Sequence, residues 1–233
     1  MGVTIECDLR ALFGPARDQG TRPTCMAFAA SDTHAAVRPD WVPLSCEYAY
    51  FHALQRDSGH PDDGATPAGI LAAIKEDGQP TETQWSYLPH VPGDLAQWKP
   101  PANVGPLYRR GSAYDSATIA AIRGLLDAGV PVIVTMCLSD AFYRPDADAI
   151  VDAREAPDPG RRHAVIAAGY GTQGSQRLLL IRNSWGVHWG IEGYAWLSED
   201  YLAPRLYGFG EMKEDLTNVS ADCNTANVCS GVA

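Results

Sequence analysis

Three side chains stand in contexts that suit one another chemically: Cys25, His163 and Asn183. Cys25 closes the turn-rich stretch QGTRPTC and opens a run of small and apolar residues, MAFAA. Thr24 reads as a helix N-cap, which puts Cys25 at a helix N-terminus. Unpaired N–H groups and the helix dipole favour a thiolate there. A lone cysteine before a helix is most often structural, so the reading needs a base and something to orient that base. An imidazole held by a side-chain amide supplies both, and a thiolate–imidazolium pair is a ready nucleophile at neutral pH.

The run HAVIAAGYGTQGSQRLLLIRN holds the other two residues. Gly169, Gly171 and Gly174 formally spell the dinucleotide-binding GxGxxG. That fingerprint must open a helix, whereas RLLLIRN follows here and reads as a strand, so the glycines are assigned to a hairpin turn. A loop symmetric about Gln173 sets Tyr170 opposite Gln176 and His163 directly opposite Asn183. Directly opposed side chains are close enough to hydrogen-bond, and a one-residue slip would undo the pairing. Trp185, two positions past Asn183, is placed to screen that bond from water.

The elements that must carry these residues fall in two groups. Helices are expected from Cys25 to about Val37, from Ser45 through EYAYFHALQ, from Thr66-Pro67 to a stop at Gly78, and over 117–129 with Gly129 as the stop. Residues 84–110 form an ordered, irregular connector rich in Pro, Trp and Tyr. Strands are expected at 131–138, 163–170, 177–183 and 193–198, with a long loop over 140–161. Helices first and strands later imply an α+β protein. One catalytic domain is expected over 1–210, its helical lobe over about 11–110 and its β lobe over about 1–10 and 111–210; 211–233 reads as a flexible tail.

Composition excludes several classes. The 233 residues carry a net charge of −10, without a Lys/Arg run, against nucleic-acid binding and anionic membrane surfaces. No apolar run approaches the roughly 20 residues of a membrane span. His34, His52, His60, His90 and His188 lack ligand spacing, and the six cysteines form no CxxC pair, so neither metal nor other cofactor is expected. MGVTIECDLRALFG lacks the apolar core of a signal peptide, giving a cytoplasmic expectation with reduced thiols, although Cys223 and Cys229 could close a small loop under oxidation. Asn218-Val-Ser is a formal glycosylation triplet without secretory context.

Taken together these residues resemble the papain family of cysteine peptidases. The resemblance rests on Gln19-Gly20 six residues ahead of Cys25, on Met26-Ala27-Phe28, and on Leu44-Ser45 with Glu47-Tyr48. It continues through Asp63-Gly64-Ala65-Thr66-Pro67, Pro131-Val132, Asp140 and Phe142. Its strongest blocks are His163-Ala164-Val165 with Gly169-Tyr170-Gly171, and Asn183-Ser184-Trp185-Gly186 with Trp189-Gly190 and Gly193-Tyr194.

The resemblance implies a papain-like fold, a helical lobe against an antiparallel β-barrel-like lobe with the active site between them. It implies Cys25 as nucleophile, His163 as general acid/base, Asn183 as its orienter and Gln19 as oxyanion donor beside the Cys25 N–H. Gly64, Ala65, Thr135, Arg161, Arg162, Ala164 and Trp185 would contact a peptide or protein substrate, Arg161 approaching the main specificity pocket and favouring acidic or polar residues. The chain departs from the pattern at Met26, where the family has Trp, and at Pro23 and Thr24; the family's common disulfide cysteines are absent, as in bacterial-type members. Met1 lies close to where mature family members begin, so no inhibitory propeptide is expected; either a fused or separate inhibitory or regulatory partner restrains activity, or narrow specificity makes one unnecessary. Besides a thiol endopeptidase, two readings remain open: an acyltransferase or amide-forming enzyme using the same thioester, and an inactive binding module.

Overall fold

The computed structural model describes residues 2–217 except 92, 117 and 153. The expectations for Asn218, for Cys223 and Cys229 and for most of the tail lie outside the described residues. So does the first residue of the fourth helix expected from the sequence.

Three helices form one lobe. α1 (Cys25–Ala36) is buried on all sides from Met26 onward, α2 is Cys46–Asp57 and α3 is Pro67–Glu76. Ser45 caps α2 by accepting from the Tyr48 N–H at 3.1 Å, and Thr66 caps α3 by accepting from the Gly69 N–H at 3.0 Å. Thr24 departs from this pattern. It occupies the N-cap position of α1, yet its hydroxyl makes no cap bond and pairs with the Tyr87 hydroxyl at 2.9 Å.

Eight strands make one sheet: β1 (Thr4–Asp8), β2 (Arg110–Asp115), β3 (Val132–Leu138), β4 (Ile150–Val151), β5 (Asp158–Gln173), β6 (Gln176–Arg182), β7 (Tyr194–Ser198) and β8 (Leu206–Asp215). Their order is β2-β8-β3-β5-β6-β7-β4, with β1 on β5. Every pair is antiparallel but β4 with β7, and the path is open at both ends, which makes the expected barrel a loose description. α4 (Ile119–Asp127) drives Ile122 and Leu126 into one side of the sheet, while Ile133, Ile166 and Met212 join the core beneath α1, α2 and α3.

β8 is a correction. It pairs with β2 through Asp215 and buries Met212, so the domain passes the expected end at 210. Its glycines hide it. A Cβ at Gly208 would stand 2.0 Å from the Tyr114 hydroxyl, so the position stays bare at the expense of strand propensity.

α1 carries a line of buried polar groups, each with a partner. Asp32 accepts from Arg17 Nε at 2.8 Å and, across the lobes, from Arg182 Nε at 3.1 Å and Nη2 at 3.0 Å. Arg182 is only 1% exposed and also donates to Gly14 O, Pro15 O and the Tyr194 hydroxyl. His34 lies 3.0 Å from Gln79 Oε1 through Nδ1, and burial pushes its pKa down to about 4.

That shift fixes a sign. Between pH 6.5 and about 4 the unfolded chain binds a proton at His34 that the folded chain refuses, so stability falls as pH drops through that window. The full cost is about 3 kcal/mol. His34→Gln is expected to remove most of this share of the acid loss, read as the difference in urea unfolding free energy between pH 7 and pH 4. An acid loss equal to that of the unsubstituted chain would contradict the assignment.

Candidate active site

The nucleophile segment hangs on one carbonyl. Arg22 O accepts from Gln19 Nε2 at 2.8 Å and from the Thr24 N–H at 2.8 Å. Gln19 is fixed at its other end by Ser184, whose carbonyl accepts from the Gln19 N–H at 2.8 Å and whose hydroxyl donates to Gln19 Oε1 at 2.6 Å. One Nε2 proton of Gln19 is engaged by Arg22, leaving its second for a ligand. Because the Thr24 hydroxyl turns away to Tyr87, the side chain leaves the first N–H groups of α1 uncapped beside Cys25.

His163 and Asn183 meet, but not by the expected register. β5 pairs with β6 as Gln173 with Gln176 around Gly174-Ser175, and a bulge between Ala167 and Gly169 shifts the ladder to Ile166 opposite Arg182. Carried further, that register sets Asn183 diagonally from His163, beyond the end of β6. Gly174 has φ +61, so the loop is a two-residue turn with Gly first, a Gly-Ser signal that the symmetric-loop reading passes over. The ring crosses the diagonal: His163 Nε2 lies 2.8 Å from Asn183 Oδ1.

The polarity of this bond follows from a third group. The Ser184 N–H donates to the same Oδ1 at 2.8 Å, so that atom must be the oxygen and His163 Nε2 the donor. The neutral ring then keeps Nδ1 as its acceptor. Asn183 Nδ2 is buried without a partner among the described residues, an arrangement that favours the oxygen's task over amide satisfaction. Trp185 covers the ring, centroids 4.9 Å apart, and Phe142 lies 5.7 Å from it; Tyr143 stacks on Trp185 at 5.1 Å.

A cavity of about 320 Å³ opens between the lobes. Pro23, Cys25, Met26, Gly64 and Ala65 line its helical wall; Thr135, Arg162, His163, Ala164 and Tyr207 line the other. Gly64 holds φ +83 with Pro23 O where a Cβ would come to 3.3 Å, so the wall needs glycine here. Thr135 is fixed by the Tyr114 hydroxyl at 2.6 Å and donates to Gly208 O at 2.9 Å.

Two of the residues expected to contact substrate stand outside this cavity. Arg161 lies outside this cavity, its guanidinium paired with Asp140 and, at 3.1 Å, with Asp158. The neighbouring Arg162 faces the cavity, has no acidic partner among the described residues and approaches the Tyr207 ring at 5.9 Å. Trp185 lies outside the cavity as well and roofs His163. Tyr207 escapes sequence reading because β8 does. Tyr143 is readable only as the second aromatic after Asp140.

Burial opposes either charge alone. It raises the Cys25 pKa, partly countered by hydrogen bonds from the backbone of Ala164, Met26 and Cys25 itself. It pushes His163 down to about 4, against the opposing Asn183 bond. Both shifts act on a charge standing alone and do not bear on a thiolate–imidazolium pair, in which each charge stabilises the other. Moving the proton from Sγ to the ring creates both charges together, so the two titrate as one unit.

Residues 55–205 match the profile of the papain family cysteine proteases, a span that includes His163 and Asn183 and starts after Cys25. Cysteine proteinase 3 of Entamoeba histolytica is 30% identical over 201 residues, covering 83% of this chain and 62% of that protein. Digestive cysteine proteinase 3 of Homarus americanus is 24% identical over 207 residues, covering 86% and 62%. The chain thus spans 62% of the length of these two curated relatives. Xylellain, a cysteine protease from Xylella fastidiosa, shares the fold with a TM-score of 0.69 at 20% identity, covering 91% of this chain and 87% of its own. Sequence profile, relatives and fold agree, and the chain belongs to the papain family of cysteine proteases.

Proposed function

We propose that the protein is a cysteine endopeptidase in which Cys25, His163 and Asn183 act as the triad and Gln19 as an oxyanion donor. One observation carries the reading: the Ser184 N–H identifies Asn183 Oδ1 as an acceptor, which makes His163 Nε2 a donor and leaves Nδ1 as the ring's base. Nδ1 takes the Sγ proton as sulfur attacks the substrate carbonyl carbon. The new oxyanion accepts hydrogen bonds from the free Gln19 Nε2–H and from the Cys25 N–H. Nδ1–H then protonates the leaving amine as the C–N bond breaks, giving a thioester. Water attacks with His163 as base, and the thiol leaves with its proton restored. No metal or other cofactor is required at any step. The same thioester could pass to an amine, and product masses with and without added amine decide between hydrolysis and acyl transfer.

Incubation with a thiol-directed epoxide should add one inhibitor mass at Cys25. His163→Ala should slow that labelling by at least ~100-fold. Equal labelling of the variant would remove the case for an activated nucleophile, and Cys25→Ala should abolish peptide cleavage.

With His163 lowered to about 4, the acid limb of kcat/KM is expected near pH 4, well below that of an ordinary imidazole. A limb near 6.5 would show that burial does not control the base.

The preference for acidic substrate residues moves from Arg161 to Arg162, the arginine that faces the cavity without an acidic partner among the described residues. Arg162→Ala should reduce discrimination between acidic and apolar peptides by ~10-fold, and Arg161→Ala should leave it unchanged. Unaltered discrimination in Arg162→Ala would refute the preference.

A further inference from the structure

Arg22 lies within the nucleophile segment, yet its side chain points away from the cleft. The residue is 5% exposed and its fork meets Glu47, which is fully buried on α2. Nη1 donates to Oε2 at 2.7 Å and Nη2 to Oε1 at 3.0 Å. Glu47 also accepts from Trp98 Nε1 at 2.6 Å and from the Leu88 N–H at 3.1 Å, so four donors surround its charge. Nη1 reaches Leu88 O at 2.6 Å, and the guanidinium lies 5.0 Å from the Tyr87 ring. Tyr87 in turn donates to Gln19 O at 2.7 Å and pairs with the Thr24 hydroxyl.

The backbone of Arg22 is the other half of the arrangement. Its carbonyl holds Gln19 Nε2 and, through the Thr24 N–H, the residue that enters α1. Both proposed oxyanion donors, Gln19 Nε2 and the Cys25 N–H, therefore take their positions from one peptide plane. The Arg22–Glu47 fork anchors that plane to α2.

We propose that Arg22, clamped by Glu47, is a positioning residue for the oxyanion donors. The proposal rests on the role proposed for Gln19 and Cys25. A purely structural ion pair would behave differently. A buried pair can be replaced by neutral groups of similar size with little loss of stability, whereas the aim of a carbonyl cannot be restored that way.

The test is the double variant Arg22→Met/Glu47→Gln; Trp98 and Leu88 donate to different oxygens of Glu47, so the one amide oxygen introduced on α2 keeps one of these two bonds, and some loss of stability is expected. The expected result is a chain that still melts cooperatively above the assay temperature, with kcat on a peptide amide lowered at least ~10-fold and KM within about twofold. Alkylation of Cys25 by iodoacetamide, which needs no oxyanion donor, should keep its rate. In a Gln19→Ala background the same double change should cost less, because one of the two donors being aimed is already gone. Unchanged kcat, a parallel loss of alkylation, or the same loss without Gln19 would each overturn the proposal. If the double variant does not fold, Arg22→Lys, which keeps the charge and loses the fork, is read by the same measurements. Alkylation and turnover of the unsubstituted chain report on the triad itself, so failure of that reading is seen separately from failure of this one.

Discussion

The site depends on a carboxylate shared between two arginines. Asp32, on α1, holds Arg17 from the segment leading to Gln19 and Arg182 from the end of β6. Cys25 starts that same helix and Asn183 follows Arg182 directly. One buried cluster thus sets the distance between the helix that carries the thiol and the strand that carries the imidazole's partner. Buried ion pairs are costly to desolvate and earn their place only when every donor is matched. Arg182 meets that condition, with Gly14 O, Pro15 O and the Tyr194 hydroxyl taking the protons that Asp32 does not.

Around this anchor the cleft is arranged to keep charges from standing alone. Burial resists a lone thiolate and a lone imidazolium, and Phe142 and Trp185 close the ring side to water. The groups available to a developing negative charge are backbone and amide N–H donors that carry no net charge. Their aim matters more than their strength, because a fixed dipole does not need to reorganise during reaction. That is why so much of the hydrogen bonding near Cys25 is devoted to Gln19, Arg22, Thr24 and Ser184, none of which is bonded to substrate through those contacts.

The sequence displays the reacting groups more clearly than their geometry. Cys25 and Asn183 are legible because each stands at an element boundary with a fitting neighbour, His163 is legible from the residues around it although it lies inside β5, and the caps at Ser45 and Thr66 act as their residue types imply. The register of the hairpin is not legible: a bulge at Ala168 leaves no composition signal, and the Gly-Ser turn competes with other glycines nearby. β8 is hidden by Gly208 and Gly210, retained for close packing against Tyr114. Which of Arg161 and Arg162 faces the cavity is fixed by Asp140 and Asp158, acids whose partner choice is set by folding. The buried partnership of Arg22 with Glu47 joins residues 25 apart in sequence, and no local pattern announces it.

The tie behind the nucleophile segment is made of ions, Arg22 with Glu47, and not of sulfur. A disulfide there and a thiol at Cys25 would ask opposite things of their surroundings, since conditions that preserve one threaten the other. The described cysteines, Cys7, Cys25, Cys46 and Cys137, are all free thiols. With Arg22 and Glu47 holding the segment, a reducing milieu protects the nucleophile without loosening the loop that carries it. The scaffold and the reagent are redox-compatible, and the segment around Cys25 needs no oxidative maturation to take its shape.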